Sequence, residues 1–232
     1  MSKKKKYCAL FSGGKDSTMA LYRAMQKKSC GVVVLLSMIP ARDDSYMYHF
    51  PNIGLVKYQA EAIGIPIVTK KTSGVPPQEN LDLKIALKEV KEKFGICGVI
   101  TGTVSSRYQY NIISGMCKDL GLEVFAPYWE KPHESLIEDA LKEGFEIIVT
   151  GVFAYGLDDS WLGKKLDYHA LEELKKLNEK FGINIGGEGG EYETLVLDCP
   201  IFKKRLKILE SEKIWNDVRG YLKITKVRLV EK

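Results

Sequence analysis

The segment Ser12-Gly13-Gly14-Lys15-Asp16-Ser17 constrains this chain more than any other part of its sequence. It follows an apolar run over 7–11 and precedes a helical pattern over 17–27, so a strand, a glycine turn and a helix N-terminus meet there. Two adjacent glycines permit a tight bend that turns backbone amides toward a ligand, because no Cβ blocks its approach. The helix end adds unpaired N–H groups and a positive dipole. The segment therefore predicts an anion site, and a polyphosphate suits it best.

The spacing differs from that of a Walker A loop, in which a longer interval separates the first glycine from the Gly-Lys pair. Lys15 adds a mobile positive charge, while Asp16 places a carboxylate inside the loop. A carboxylate beside phosphates suits Mg²⁺, which takes one or two carboxylates together with phosphate oxygens. The alternative is an ordinary strand-to-helix turn with Asp16 or Ser17 as the N-cap. The coincidence of paired glycines, a lysine and two serines at this junction favours the phosphate site.

Composition limits the class of protein. The 232 residues carry a net charge of +5, and Lys3 to Lys6 supply four of those charges, so the body is nearly neutral and a nucleic-acid-binding surface is not indicated. The cysteines form no C-x-x-C pair and are odd in number, which argues against a zinc site and a disulfide framework. They are Cys8, Cys30, Cys97, Cys117 and Cys199. Since no apolar stretch of membrane-spanning length is visible, we expect a cytoplasmic protein without a membrane partner.

The first half alternates buried-looking strands with amphipathic helices. Strands are predicted over 7–11, 32–38, 66–70 and 99–101, and helices over 17–27, 54–63, 79–94 and 108–120. This order predicts a parallel, Rossmann-like α/β sheet with ligand binding at the carboxyl ends of its strands. The second half has helices over 134–143 and 168–181, a strand over 145–152, and antiparallel-looking strands over 193–198, 203–209 and 221–230. We predict a nucleotide-binding domain over 1–126 and a smaller α/β domain over 127–232.

A second unusual segment is Gly186-Gly187-Glu188-Gly189-Gly190-Glu191-Tyr192-Glu193-Thr194. Clustered carboxylates on a glycine-rich backbone suit either Mg²⁺ or a cationic substrate group. A flexible surface loop is the alternative, and the residues alone do not decide between the two. The neighbouring aromatics suggest either core packing or a cage for a quaternary ammonium ion. They are Tyr128, Trp129, Phe153, Tyr155, Trp161 and Tyr192.

The segment over 101–109 follows the end of a predicted strand, which faces the ligand crevice in an open α/β sheet. Ser105 or Ser106 begins another helix there, and Arg107 could bind a phosphate or carboxylate with two hydrogen bonds. Arg107 as a surface residue near a helix cap is the alternative. The histidines His49, His133 and His169 are scattered, and nothing in the sequence pairs them with a nucleophile.

Three segments together resemble the diphthine–ammonia ligase family, a branch of the N-type ATP pyrophosphatases. Residues 12–17 match the PP-loop pattern S-G-G-x-D-S of those enzymes, residues 101–109 match a second family segment, and residues 187–194 are the most distinctive match. The resemblance spans nearly the whole chain and indicates a minimal, archaeal-type member without the extra C-terminal domain of some eukaryotic relatives.

The resemblance implies that ATP adenylates the carboxylate of diphthine on elongation factor 2, releasing pyrophosphate, and that ammonia from ammonium then displaces AMP. The resemblance also implies which residues bind ATP, which bind the substrate and which are catalytic, and some residues have two of these roles. The implied ATP-binding residues are Ser12, Gly13, Gly14, Lys15, Asp16, Ser17, Ser37, Met38, Thr101 and Gly102, with Asp16 as the Mg²⁺ ligand. The implied substrate-binding residues are Ser105, Arg107, Tyr108, Gln109, Glu188, Glu191, Tyr192 and Glu193. The implied catalytic residues are Lys15, Asp16, Glu188 and Glu191.

Other functions stay open at this point. A PP-loop ligase could act on a small metabolite or an RNA, and a non-catalytic regulator could bind an adenine nucleotide without turnover. The lack of a cysteine pair suited to sulfur transfer argues against a tRNA-thiolating relative. A homodimer is left open.

Overall fold

The structure, a computed structural model, describes residues 4–40, 52–73 and 77–232. Its first half is a five-stranded parallel sheet, in the order β3-β2-β1-β4-β5. The strands are β1 (Lys5–Leu10), β2 (Cys30–Pro40), β3 (Ile67–Thr72), β4 (Gly98–Ile100) and β5 (Glu123–Phe125). The helices are α1 (Lys15–Gln26), α2 (Val56–Ile63), α3 (Gln78–Phe94) and α4 (Arg107–Asp119).

The sequence pattern explains why this sheet is covered on both faces. Successive residues of a strand point to opposite sides, so Ala9 and Leu35 join one core cluster while Cys8 and Val34 join the other. Helices α1 and α2 supply the first cluster, and α3 and α4 supply the second. The strand order reverses between β1 and β4, and an open α/β sheet binds its ligands at the carboxyl ends of such a strand pair.

The second half is a four-stranded antiparallel sheet, in the order β7-β6-β9-β8, with two helices packed against it. The strands are β6 (Glu146–Val152), β7 (Tyr192–Asp198), β8 (Arg205–Trp215) and β9 (Gly220–Val230), and the helices are α5 (His133–Lys142) and α6 (Tyr168–Phe181). The fold class is therefore confirmed as a Rossmann-like parallel sheet with a smaller second α/β part. Among the described residues, no helix combines the length and apolar character that crossing a bilayer requires.

Strand β8 is longer than the predicted strand over 203–209. The prediction ended where the polar run Glu210-Ser211-Glu212-Lys213 removes the apolar alternation. These residues stay in the strand because β8 lies at the sheet edge, where its side chains face solvent while the backbone still pairs with β9.

The two halves share one hydrophobic core. Met19 of α1 and Ala60 of α2 belong to the same buried cluster as Ile147 of β6 and Leu171 of α6. Helix α1 thus lies between the parallel sheet and the second half of the chain. The proposed boundary between 1–126 and 127–232 stays a prediction.

Candidate active site

The PP-loop (residues 12–17) joins β1 to α1, as the sequence predicted. Gly13 has a φ of +81°, a left-handed conformation that glycine adopts without strain. The Gly14 carbonyl accepts hydrogen bonds from the Thr18 backbone at 3.1 Å and the Ser17 hydroxyl at 3.2 Å. Ser12 Oγ lies 3.1 Å from Ser17 Oγ. Helix α1 begins after Gly14, and no side chain caps it among the described residues, so Asp16 or Ser17 as N-cap is wrong.

The end of β4 touches the PP-loop. A Cβ on Gly102 would lie 2.6 Å from the carbonyl carbon of Asp16 and 2.7 Å from the backbone nitrogen of Ser17. Only a glycine permits this approach of two backbones. Thr101, which is buried, hydrogen-bonds Thr103 Oγ1 at 2.9 Å directly beside it. The segment after β4 therefore forms the second wall of the crevice at the reversal of strand order.

Strand β7 is hydrogen-bonded to the PP-loop on the side opposite Gly102. The Lys15 backbone N–H donates to Thr194 Oγ1 at 3.1 Å, and the Val196 N–H donates to the Gly13 carbonyl at 3.0 Å. Gln59, fully buried in α2, donates its amide to the Gly13 carbonyl at 2.9 Å and to the Val196 carbonyl at 2.8 Å. The PP-loop is thus bonded to the strand in which the glycine–glutamate loop (residues 186–194) ends.

The Lys15 side chain is held in place rather than mobile. It is 3% exposed, and its ammonium donates to the Gly186 carbonyl at 2.5 Å and to Asp16 Oδ2 at 2.9 Å. It also lies 5.3 Å from the centre of the Tyr192 ring, within range of a cation–π contact. The expectation of a mobile cation is wrong, because the glycine–glutamate loop covers this lysine. Lys15 therefore connects the PP-loop to the glycine–glutamate loop.

Glu188 fixes the glycine–glutamate loop to the segment after β4. Its carboxylate accepts from the Val104 N–H at 2.9 Å, the Ser105 N–H at 2.7 Å and the Ser105 hydroxyl at 2.6 Å. Burial raises the pKa of this carboxyl, but the hydrogen bonds from Ser105 and from the backbone N–H groups at 104–106 outweigh burial and hold the pKa below its usual range. Glu188 is therefore ionised, and its hydrogen bonds hold the glycine–glutamate loop against the segment after β4.

The other two glutamates of this loop lie in different surroundings. Glu191 Oε1 accepts from the Asn184 N–H at 3.2 Å, while its buried Oε2 has no hydrogen-bond partner in the described part of the chain. Burial raises the pKa of Glu193 to about 8, so this carboxyl is largely protonated at neutral pH. Tyr192 donates its hydroxyl to the Ile185 carbonyl at 2.5 Å, and burial, then the charges of Asp16 and Glu191, raise its pKa well above the usual value.

Some predicted substrate residues lie apart from these contacts. The Arg107 side chain is 82% exposed and faces Glu130 at 3.8 Å, and Tyr108 is 63% exposed. The Gln109 backbone donates to the N-cap Ser106 at the start of α4. Only Ser105 of this group is bonded to the glycine–glutamate loop. Arg107, Tyr108 and Gln109 therefore face solvent at the start of α4.

Ser37 lies in β2 and was predicted to bind ATP. Its hydroxyl oxygen, Oγ, is buried and has no hydrogen-bond partner within the described residues. An unsatisfied buried hydroxyl costs free energy, and a bound ligand would supply the missing partner. Its neighbour Met38 is partly buried at the same end of β2. Both residues lie on the strand next to β1, at the end where the PP-loop begins.

His133 was missed by the sequence analysis. Its Nε2 lies 3.0 Å from Ser105 Oγ, 3.2 Å from Asn184 Nδ2 and 3.7 Å from Glu188 Oε2. The sequence indicated no partner for any histidine and no hydrolase triad, and the structure places His133 beside the Ser105 hydroxyl. The arrangement is not a catalytic triad, because the carboxylate contacts the serine rather than the second ring nitrogen. No sequence motif predicts the contacts of His133, since its partners come from separate loops. His49 lies outside the described residues.

The aromatic residues do not form one cage. Tyr128 and Trp161 are buried in the shared core, and Tyr155 is 82% exposed. Trp129 stacks on Tyr110 with ring centres 4.0 Å apart. Core packing explains Tyr128 and Trp161 but not the exposed Tyr155, and Tyr192 lies against the PP-loop.

The donor set fits a magnesium ion that arrives with a polyphosphate. Within the described residues, no three His, Cys, Asp or Glu side chains converge on a point where they could hold a metal. Mg²⁺ needs only one or two carboxylates when phosphate oxygens and water complete its shell. Asp16, with a side chain 38% exposed at the mouth of the loop, can supply one.

Comparison with known proteins now adds to this geometry. Residues 5–124 match the family model of the diphthamide synthase N-terminal domain, and residues 132–230 match that of the diphthamide synthase C-terminal domain. A diphthine–ammonia ligase of Bos taurus is 34% identical over 244 residues, which cover 96% of this chain and 90% of the relative. The diphthine–ammonia ligase of Homo sapiens has the same identity and the same coverage.

A solved U34-tRNA thiolase of Methanococcus maripaludis is 14% identical and covers 80% of this chain and 70% of its own, with a TM-score of 0.43. That value is too low to bear on function. The two domain models and the identity over nearly the whole chain confirm the resemblance drawn from the motifs. The chain belongs to the diphthamide synthase family, the family of the diphthine–ammonia ligases.

Proposed function

We propose that this protein is an ATP-dependent ligase that converts the carboxylate of diphthine on elongation factor 2 to an amide, the last step of diphthamide synthesis. The names of its relatives support the reaction. The observation that carries the proposal is the direct bonding of two loops. The PP-loop and the glycine–glutamate loop meet through Lys15, Gly186 and Thr194, so a nucleotide and a second substrate would be held side by side.

The chemistry requires such an arrangement. A carboxylate is a poor electrophile with a poor leaving group, so it attacks the α-phosphorus of ATP and becomes a mixed anhydride with AMP, while pyrophosphate leaves. The N–H groups at the start of α1 and the hydroxyls of Ser12 and Ser17 would hold the phosphates and stabilise the departing charge. Gly102 keeps the second wall within reach, and Thr101 and Ser37 supply hydroxyls nearby. Asp16 would hold a magnesium ion, which neutralises phosphate charge when bound.

The glycine–glutamate loop serves the acceptor in this proposal. Several carboxylates would repel an unshielded triphosphate but suit the trimethylammonium group of diphthine. Glu188 positions the loop. Glu191 Oε2, which has no hydrogen-bond partner among residues 4–40, 52–73 and 77–232, and the protonated carboxyl of Glu193 remain available to a substrate. A translation factor as acceptor places the reaction in the cytoplasm, with ammonium as the nitrogen donor and without a nucleic-acid or membrane partner.

The test supplies the purified protein with diphthine-form elongation factor 2, ATP, Mg²⁺ and ammonium. We expect AMP and pyrophosphate as products. Intact mass of the factor should show the small loss that replacement of a hydroxyl by an amino group produces. Omission of ammonium is the control. ADP and phosphate as products would contradict cleavage between the α- and β-phosphates, and an unmodified factor with turnover stimulated by a small acid or an RNA would indicate a different acceptor. Nucleotide binding without any turnover would indicate a regulator.

Asp16→Asn tests the magnesium proposal. The substitution keeps the size of the side chain and removes its charge, so ATP binding without metal should change little. Mg²⁺-dependent pyrophosphate release should fall by about a hundredfold, since a lost charge-assisted ligand costs on the order of 3 kcal/mol. Stopped-flow pyrophosphate detection over a Mg²⁺ series measures the effect. Asp217→Asn, at an exposed hairpin position, is the matched control. An unchanged Mg²⁺ dependence in Asp16→Asn would remove Asp16 from the metal site.

A further inference from the structure

The side chain of Gln59 is polar, yet it is completely buried on the core-facing side of α2. Its neighbours in the helix, Val56, Ala60 and Ile63, belong to the shared hydrophobic core. Burying an amide costs free energy unless new hydrogen bonds replace those with water. Leucine or methionine would fill this volume without that cost. The position therefore calls for an explanation beyond packing.

The contacts of the Gln59 amide fix its orientation. Its NH₂ group donates to the Gly13 carbonyl at 2.9 Å and to the Val196 carbonyl at 2.8 Å. A reversed amide would place Oε1 against the same two carbonyl oxygens, where no donor is present. In the observed orientation, Oε1 is buried without a hydrogen-bond partner within the described residues. An unsatisfied buried oxygen costs free energy, so stability alone does not account for this residue.

The bonds from Gln59 orient the peptide unit that joins Gly13 to Gly14. The Gly13 carbonyl also accepts from the Val196 N–H at 3.0 Å, so two donors hold it toward α2 and β7. In a planar trans peptide the N–H points opposite to the C=O, and the N–H of this unit belongs to Gly14. The Gly14 N–H is therefore directed away from α2 and β7. Since Gly14 is the N-cap of α1, this N–H has no acceptor inside the helix.

We propose that Gln59 is a positioning residue that directs the Gly14 N–H at the phosphates of the nucleotide. The inference rests on the proposed function and deepens it, because it names a residue outside the PP-loop that sets the geometry of the loop. A Cβ on Gly13 would overlap Gln59 Oε1, so the amide is packed directly against the loop backbone. Glycine places few steric limits on its own peptide units, so an external contact is needed to keep the Gly13 carbonyl in one direction.

The oriented N–H matters most when pyrophosphate leaves. As the bond between the bridging oxygen and the α-phosphorus breaks, its electron pair stays with pyrophosphate, and negative charge grows on that side. An N–H group already directed at the phosphate stabilises this charge without reorganisation. If the Gly13–Gly14 peptide rotated, the partial negative charge of the Gly13 carbonyl would face the phosphates instead. Gln59 prevents that rotation and does not itself touch the nucleotide.

Gln59→Met tests the proposal, because methionine keeps the length of the side chain and has no N–H donor. We expect the affinity for Mg²⁺-pyrophosphate to fall by about ten- to a hundredfold, as loss of one well-directed hydrogen bond to a charged oxygen predicts. The affinity for adenosine, which has no phosphate, should stay within about twofold, since it shares no contact with the PP-loop amides. Calorimetry with both probes measures these affinities, and thermal unfolding reports whether each variant is folded. Gln78→Met, at the exposed start of α3, is the matched control.

Gln59→Glu is the second variant. It keeps the shape of the side chain and has at most one donor, so it should lose pyrophosphate affinity in the same selective way. In the natural protein with isotope-labelled glycine, the amide proton of Gly14 should shift downfield when pyrophosphate binds and should stay in place with adenosine.

Three results would overturn the inference. One is a Gly14 amide that does not respond to pyrophosphate, and another is an unchanged pyrophosphate affinity in the Gln59 variants. The third is an equal loss for pyrophosphate and adenosine, because it would show that Gln59 supports the fold as a whole. A natural protein in which pyrophosphate shifts the Gly14 amide, but which never amidates diphthine-form factor, would contradict the proposed function alone.

Discussion

Lys15→Met is expected to lower diphthine amidation by about a hundredfold or more, which corresponds to roughly 3 kcal/mol of lost stabilisation. Methionine matches the length of lysine but has no charge and no N–H donors. The Gly186 carbonyl would lose its donor at 2.5 Å, and Asp16 would lose the cation at 2.9 Å. Because Lys15 is 3% exposed, water cannot readily replace either contact. The part of the glycine–glutamate loop around Gly186 should then become more mobile, while the backbone contacts of the PP-loop with Thr194 and Val196 remain.

Two measurements distinguish the role that the contacts of Lys15 indicate, which is to fix the glycine–glutamate loop, from the role that the sequence predicts, which is to neutralise pyrophosphate. If Lys15 mainly fixes the loop, ATP affinity by calorimetry should change by only a few-fold, while hydrogen exchange of amides 186–191 should become faster. If Lys15 mainly neutralises pyrophosphate, ATP affinity should collapse and exchange should stay the same. Lys88→Met, on the exposed face of α3, is the matched control. A Lys15→Met protein with undiminished amidation would contradict both roles.

The sequence predicted the elements well because local patterns determine them. The apolar run Gly31-Val32-Val33-Val34-Leu35-Leu36 lies in β2, where residues 34–36 are buried and Gly31, Val32 and Val33 are half-buried, as continuous apolar character predicts for a strand covered on both faces. The predicted helix over 168–181 coincides with α6, since Asp167 caps its start and Gly182 ends it in a left-handed conformation. The end of β8 was misjudged, because pairing of an edge strand depends on a distant partner and not on its own alternation.

The site was predictable only in part, for a related reason. Paired glycines before a helix identify the PP-loop, since a short stretch of chain creates that geometry. The contacts of Lys15 with Gly186 and of Thr194 with the PP-loop join residues far apart in sequence, and no spacing rule reports them. His133 is the clearest case, because its three partners come from three other segments. Sequence motifs located the two loops, and the tertiary fold determines how they touch.

Glu193→Gln is expected to stabilise the protein above pH 8 by about 2 kcal/mol, because the side chain is only half-buried and solvent screens part of the effect. Burial is the cause, since it disfavours the charged form and raises the pKa of Glu193 to about 8 from an ordinary value of 4.5. The carboxyl has no hydrogen-bond partner within the described residues that would offset this burial. Glutamine keeps the size of the side chain and cannot ionise, so the cost of a buried charge disappears.

The sign of the pH dependence follows from proton binding. Between about pH 4.5 and pH 8 the folded protein keeps the Glu193 proton while the unfolded chain loses it. Stability from this group is therefore complete below pH 4.5 and declines as the pH rises toward 8. Above pH 8 both states are ionised and the contribution becomes constant. In the Glu193→Gln variant this decline should be missing.

Thermal unfolding between pH 5 and pH 9 measures the effect, and the difference in Tm near pH 8.5 should be on the order of 5 °C. Glu212→Gln, on the exposed edge of β8, changes the same group without burial and should leave the natural profile intact. Parallel profiles for natural protein and Glu193→Gln would mean that water or a cation reaches this carboxyl in the free protein.

A buried acid that weakens the fold is typical of functional sites, where a substrate charge supplies the missing partner. Binding of diphthine-form factor near pH 7 should then release a proton in the natural protein and none in Glu193→Gln, because the trimethylammonium group stabilises the ionised carboxylate.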